Sequence, residues 1–262
     1  MNRNALHTGI IFLAIALSAI ALSACSSPQQ PVVTPPEPVF VTNSTPPDTI
    51  DQGMYADYVD VPNGIDIQWR PDSTNTTTGY LLFRSINDSS VGSNGILAHG
   101  TMIADIENSN QLIVSLDTSF VDTVGITPGA TYYYQLQAFN RSPTNSLAYS
   151  HPTHPGISTS FTYAQRVQLF SPSGNVSLKG FPLQFLWQDP NNGGSYQIII
   201  QRLDNQEYVW SYLYQEYESN VAYQYPTSAT PLIPGVPYQW RVKWTEPNGG
   251  SSSAWVGFNV SP

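Results

Sequence analysis

Residues 126–140 read ITPGATYYYQLQAFN, and residues 232–244 read LIPGVPYQWRVKW. Each stretch opens on an apolar residue (Ile126, Leu232), continues through Pro-Gly (Pro128-Gly129, Pro234-Gly235) and reaches a Tyr that begins an alternating run. In the first run Tyr132, Tyr134, Leu136 and Ala138 are in step. In the second the in-step residues are Tyr238, Trp240, Val242 and Trp244. A period of two predicts a strand with one buried face. The Pro-Gly pair before it predicts a tight turn. The other face of the second run carries Gln239, Arg241 and Lys243, which reads as a solvated face.

Working outward, each copy is preceded by a matching pair of strands. IDIQW puts Ile65, Ile67 and Trp69 on one face and Asp66 and Gln68 on the other; the polar turn DSTNTTTG then leads to YLLFRSI from Tyr80. LQFLW puts Leu183, Phe185 and Trp187 on one face; DPNNGG then leads to SYQIIIQRL, with Tyr196, Ile198 and Ile200 in step. Loops rich in Asn, Gly, Asp and Ser are what turns between strands require. A last strand is expected in each copy, near 146–150 and 254–260. The sequence therefore predicts an all-β chain containing one strand pattern twice.

Composition agrees. Only 10% of the 262 residues are charged, against roughly 25% in an ordinary soluble domain. Nine basic residues face eighteen acidic ones, a net charge of −9. So few cations leave no electrostatic footprint for nucleic acid. Over 45–162 there are eleven acids and three bases, net −8; over 166–262 there are six and five, net −1.

The order Trp, Tyr, Leu-x-Pro-Gly-x-x-Tyr resembles the fibronectin type III family. Trp69, Tyr80 and Tyr132 carry the resemblance in the first copy and Trp187, Tyr196 and Tyr238 in the second. It covers 45–162 and 166–262. It implies two tandem immunoglobulin-like β-sandwiches, with Tyr132 and Tyr238 as corner tyrosines whose hydroxyls bond nearby backbone. The first copy departs from the pattern in two long segments, 48–64 and 87–111. The second departs in placing Trp244 where the family usually has Ala.

The N-terminal region reads as an address. Residues 1–24 have one charged side chain, Arg3, and an apolar run from Ile10 to Leu22 that is shorter than a membrane span and has the form of a signal peptide. It ends Leu22-Ser23-Ala24-Cys25, which resembles a bacterial lipobox. That resemblance implies cleavage before Cys25 and a diacylglyceryl group on its thiol. Cys25 is the only Cys, so no internal disulfide can form. The segment 25–44 reads as the lipidated Cys and a Pro-rich linker; seven of residues 26–48 are Pro, which predicts extended polyproline II backbone. The expected location is the bacterial cell envelope, anchored to the membrane by the lipid. In a Gram-negative host Ser26 favours the outer membrane.

Little in the sequence points to reaction chemistry, so no enzyme activity, cofactor or metal is expected. His151 and His154 fall in HPTHPG, read as a link between the two copies, and Asp57, Asp60 and Asp66 as solvated strand acids. The candidate contact surface is the run YVWSYLYQEY at 208–217. As a regular strand it would put Tyr208, Trp210, Tyr212 and Tyr214 on one face and Val209 and Leu213 on the other. The alternative is that one of these faces is core and the other covers an edge or the first domain. The function expected is a non-catalytic lipoprotein that uses its modules for protein interaction, adhesion or spacing. A carbohydrate-binding role for the 208–217 aromatics is the competing expectation, leaving a protein or glycan partner open.

Overall fold

The computed structural model describes residues 31–43, 51–57, 63–107, 118–143, 145–154, 159–177, 182–188, 194–216, 220–246 and 248–261. Among them every long regular element is a strand, and none is an α-helix. The first half contains β1 (Met54–Asp57), β2 (Gly64–Gln68), β3 (Gly79–Ile86), β4 (Thr101–Glu107), β5 (Ser119–Asp122), β6 (Thr131–Arg141), β7 (Leu147–Tyr149) and β8 (Ser160–Tyr163). One antiparallel sheet has the order β1-β2-β5. The other runs β4-β3-β6, with β7 and β8 on different lengths of β6. The in-step residues of the sequence meet between them: Ile65, Ile67 and Trp69 pack with Tyr80, Leu82, Tyr132, Tyr134, Leu136 and Ala138 in one buried cluster. Each large apolar side chain so buried contributes about 1.5–3 kcal/mol.

The second half repeats this with β9 (Gln168–Ser171), β10 (Gly174–Ser177), β11 (Gln184–Gln188), β12 (Gly194–Arg202), β13 (Tyr208–Glu216), β14 (Asn220–Gln224), β15 (Pro237–Glu246), β16 (Gly249–Ser252) and β17 (Val256–Ser261). One sheet is β14-β11-β9, and the other places β13, β12 and β15 side by side with β16 and β17 on β15. β10 lies parallel to β17. Phe185 and Trp187 pack against Tyr196, Ile198, Ile200, Tyr238, Trp240 and Val242 between them.

The two halves are joined edge to edge. β8 pairs in parallel with β16 (Thr162 with Gly249, Tyr163 with Gly250). Thr162 N donates to Asn248 O at 2.8 Å, and Ala164 N to Gly250 O at 3.1 Å. One sheet of each sandwich thereby merges into a single sheet of eleven strands. The connection is short, with β8 ending at Tyr163 and β9 beginning at Gln168. Two residues of that link, Ala164 and Val167, are buried in the second core.

Two expectations are corrected. HPTHPG is not a link between the halves; its described residues lie between β7 and β8, both strands of the first sandwich. Ser150 N donates to Ala138 O and Thr153 N to Leu136 O, each at 2.9 Å, so the chain still tracks β6 between β7 and β8. The strand breaks there because Pro152 has no N–H to give to the ladder. The last strand of each sandwich is thus in two pieces, where alternation in the sequence predicts one short piece.

The Pro-rich segment is likewise not all free spacer. Phe40 bridges to Trp69, Val41 N donates to Gln68 O at 2.9 Å, and Arg70 N donates to Val39 O at 2.8 Å. Pro35 and Pro38 are buried. Asn43 Oδ1 accepts from Met54 N at 2.7 Å. An extended Pro-rich chain adds to a sheet edge without helix or hairpin, and its non-Pro residues supply the donors.

Candidate functional site

The aromatic run 208–217 forms β13 as far as Glu216; Tyr217 lies outside the described residues. β13 pairs with β12 in the register Tyr196–Tyr214, Ile198–Tyr212 and Ile200–Trp210, but Gln201 pairs with Tyr208. One residue, Val209, is extra. This is a β-bulge, which leaves a residue unpaired and shifts the phase of the strand beyond it. Trp210, Tyr212 and Tyr214 therefore share the face of the buried Ile198 and Ile200, while Tyr208 shares the face of Gln201. The expected four-residue stripe is three residues, and Tyr208 is on the opposite side. Val209 was expected beside Leu213 on the face opposite the aromatics, but the bulge lets it pack against the core.

The three inward rings close the side of the second sandwich against β14. Trp210 stacks on Tyr212 with ring centroids 5.7 Å apart and planes 4° from parallel. Tyr212 stacks on Tyr223 at 4.9 Å, Tyr225 meets Trp210 edge-on at 5.2 Å, and Tyr214 meets Trp187 edge-on at 6.2 Å. Each such pair is worth about 0.5–1.5 kcal/mol beyond area burial. Trp210 and Tyr212 thus spend ring face on each other and on Tyr223, although Tyr212 remains 41% exposed. Burial, and then a hydrogen bond with Tyr212, pushes the Tyr223 hydroxyl up to about 12; burial does the same for Tyr225, also to about 12. Tyr223, on β14, and Tyr225, just past its end, were not singled out in the sequence, although their spacing of two is the signal that places both beside these rings.

The signature residues are brought together as pairs. Trp69 and Tyr80 meet at 5.5 Å, and Trp187 and Tyr196 at 5.7 Å. Tyr132 Oη accepts from Thr127 N at 2.7 Å and donates to Gly125 O at 3.2 Å. Tyr238 Oη accepts from Ile233 N at 2.9 Å. The two corners thus tie down equivalent backbone sites. A further equivalence is not visible in the apolar pattern of the sequence. Thr153 Oγ1 accepts from Leu136 N at 2.9 Å, and Ser253 Oγ from Val242 N at 3.0 Å. Thr153 N and Ser253 N bond back to the same residues' carbonyls. At the break in each last strand, a hydroxyl takes the place of a ladder carbonyl.

Neither a scan against protein-family models nor a search of curated proteins finds a match to this chain.

The charged groups gather at two places that the sequence did not mark. Arg241 and Lys243, expected on a solvated face, are buried, and Asp51 lies against both. Arg241 Nη2 donates to Asp51 at 2.9 Å, and Lys243 Nζ is 2.5 Å from it. Arg241 also lies over the Trp255 ring at 4.7 Å. Burial raises the Asp51 carboxyl, but Arg241 and then Lys243 outweigh it and hold it below its usual value. In the first sandwich Arg84 Nη1 bonds both Asp122 oxygens, at 2.8 and 2.7 Å, and Tyr134 Oη donates to Asp122 at 2.9 Å.

Of the other candidates, Cys25 and Asp60 lie outside the described residues. Asp66 is on β2, and His151 and His154 are exposed. No three His, Cys, Asp or Glu side chains converge among the described residues. A cleft of about 220 Å³ is lined by Pro36–Val39, Arg70–Ser73, Thr77 and Tyr80.

Proposed function

We propose that this protein is a non-catalytic envelope lipoprotein, anchored through Cys25, whose two fibronectin type III-like sandwiches form one stiff module for protein interaction, adhesion or spacing. The observation that carries this reading is the continuity of the sheet through β8 and β16. It is reinforced by the four-residue link and by the Asp51–Arg241–Lys243 cluster. Tandem domains held only by a linker move relative to one another by default; a shared sheet and a buried ion cluster oppose that motion. The two tyrosine corners and the repeated Trp–Tyr pairs support the family resemblance. The lipobox-like Leu22–Cys25 supports the anchor, and Ser26 an outer-membrane destination in a Gram-negative host.

The carbohydrate alternative draws less from the aromatic run than its composition suggests, because stacking on a sugar needs free ring faces. Trp210 and Tyr212 already stack on rings of the same domain, and Tyr214 meets Trp187 edge-on.

The anchor is tested with Cys25→Ser. The substitution is expected to release the protein from the membrane fraction and abolish labelling with a radioactive fatty acid. Labelling that survives it removes the anchor from this reading.

A further inference from the structure

Two pairs of tyrosines are in ring contact among the described residues, and both involve Tyr223. Tyr214 meets it edge-on, at 5.1 Å and 61°. Tyr212 lies over it at 4.9 Å with planes 26° apart, and the two hydroxyls share a hydrogen bond. Rings that overlap and also join their hydroxyls point the same way, so the carbons ortho to the two oxygens lie against each other. Solvent reaches the pair from one side, because Tyr212 is 41% exposed. The pair also bridges the sandwich. Tyr212 is on β13, in the sheet of β12 and β15, and Tyr223 is on β14, in the sheet of β11 and β9. No disulfide can make that connection, since Cys25 is the only Cys.

We infer that Tyr212 and Tyr223 form an oxidative cross-linking site, at which a haem peroxidase with hydrogen peroxide joins the two rings as dityrosine. Each phenol loses one electron to the oxidant and one proton to water. The unpaired electron of a phenoxyl radical is shared between the oxygen and the ortho and para ring carbons, in orbitals perpendicular to the ring plane. Overlapping rings present these orbitals to each other; an edge-on ring such as Tyr214 does not. The para carbon carries Cβ, so the new bond forms between one Cε of each ring. The hydrogen on each of those carbons then moves to its oxygen and restores both phenols. One peroxide takes up the two electrons and two protons and becomes two waters. Because the fold already holds the reactants together, coupling is intramolecular and outpaces collision with another chain. The site does not rest on the Cys25 anchor or on the role of the modules, and its failure would leave both untouched.

The test treats the full chain in detergent micelles with a haem peroxidase and limiting hydrogen peroxide. Dityrosine fluorescence is expected to appear in the monomer band. Cleavage after Glu207, Glu216 and Glu218 separates the two tyrosines. The peptides that begin at Tyr208 and Ser219 should then be recovered joined, two hydrogens lighter than their sum. Tyr212→Phe and Tyr223→Phe keep the rings and remove the phenols. Each is expected to lower the joined product by roughly tenfold or more, with unchanged far-ultraviolet circular dichroism, whereas Tyr214→Phe should leave it at the parent yield. A parent chain that gives no joined peptide overturns the inference. So does a joined peptide whose yield survives Tyr212→Phe or falls equally with Tyr214→Phe, or a product that is mainly covalent dimer.

Discussion

Asp51 and Arg241 are 190 residues apart in the sequence and share a hydrogen bond of 2.9 Å. Asp51 precedes β1 of the first sandwich, and Arg241 lies mid-way along β15 of the second, with Lys243 beside it. Two cations on the outer face of a central strand thereby share one carboxylate from the other domain. Removing one partner of a buried ion pair strands the rest. We expect Asp51→Ala to destabilise the protein by about 3 kcal/mol, read as a shift in the urea midpoint at neutral pH. The Asp51 carboxyl is held below its unfolded value of about 3.9, so its contribution is present above about pH 4 and lost as pH falls through the folded value. The parent should lose stability below pH 4 more steeply than Asp51→Ala. Equal acid limbs would count against the ion cluster as a lock.

Gly249 sits where β16 meets β8, and a Cβ on it would lie 2.6 Å from Thr162 O. That neighbour is backbone, so the parallel pair itself must open. Gly249→Ala is expected to lower stability by about 1–3 kcal/mol and to loosen the sandwiches from each other. Tryptic cleavage after Arg166, in the link, should accelerate, and the radius of gyration from small-angle scattering should rise. Parent-like cleavage with a parent-like radius would show that the shared sheet is not what stiffens the pair.

Alternation makes the strands legible in the sequence, because it reports which side of a chain is buried. Ile65, Ile67 and Trp69 are all buried on one side, as are Tyr238, Trp240, Val242 and Trp244. The same logic fails at Val209, since one bulged residue moves Tyr208 to the other face and no residue type announces it. It fails at Arg241 and Lys243 for a different reason. Their face is polar, and only the placement of Asp51 shows that it is also buried. The broken last strands escape it because Thr153 and Ser253 fill ladder positions with hydroxyls, which apolar periodicity passes over.

The two corner tyrosines offer an internal comparison. Tyr132 Oη makes an accepted and a donated bond to backbone, at 2.7 and 3.2 Å, whereas Tyr238 Oη accepts one at 2.9 Å. Leaving a buried backbone group unsatisfied costs about 1–3 kcal/mol. Tyr132→Phe and Tyr238→Phe should each destabilise within that range, with Tyr132→Phe the larger, in urea melts of the two variants. A neutral Tyr132→Phe would mean that the corner holds by ring packing alone.

Alkaline pH should unfold this protein through its tyrosines. Burial, and then the charge of Asp122, holds the Tyr134 proton well above the ordinary tyrosine value. Burial raises Tyr80 as well, and Tyr223 and Tyr225 are pushed up to about 12. The unfolded chain releases these protons near pH 10. A raised folded value therefore contributes stability in full below about pH 10, and that contribution is lost as pH rises toward the folded values. Stability should be level up to about pH 9.5 and fall from about pH 10 to 12, with tyrosinate absorbance appearing together with loss of the folded circular-dichroism signal. Tyr134→Phe removes one titrating group and the hydrogen bond to Asp122. It should lower stability at neutral pH by about 1–3 kcal/mol and flatten the alkaline limb. A parent protein whose stability does not change between pH 10 and 12 would contradict the buried, protonated state of these hydroxyls.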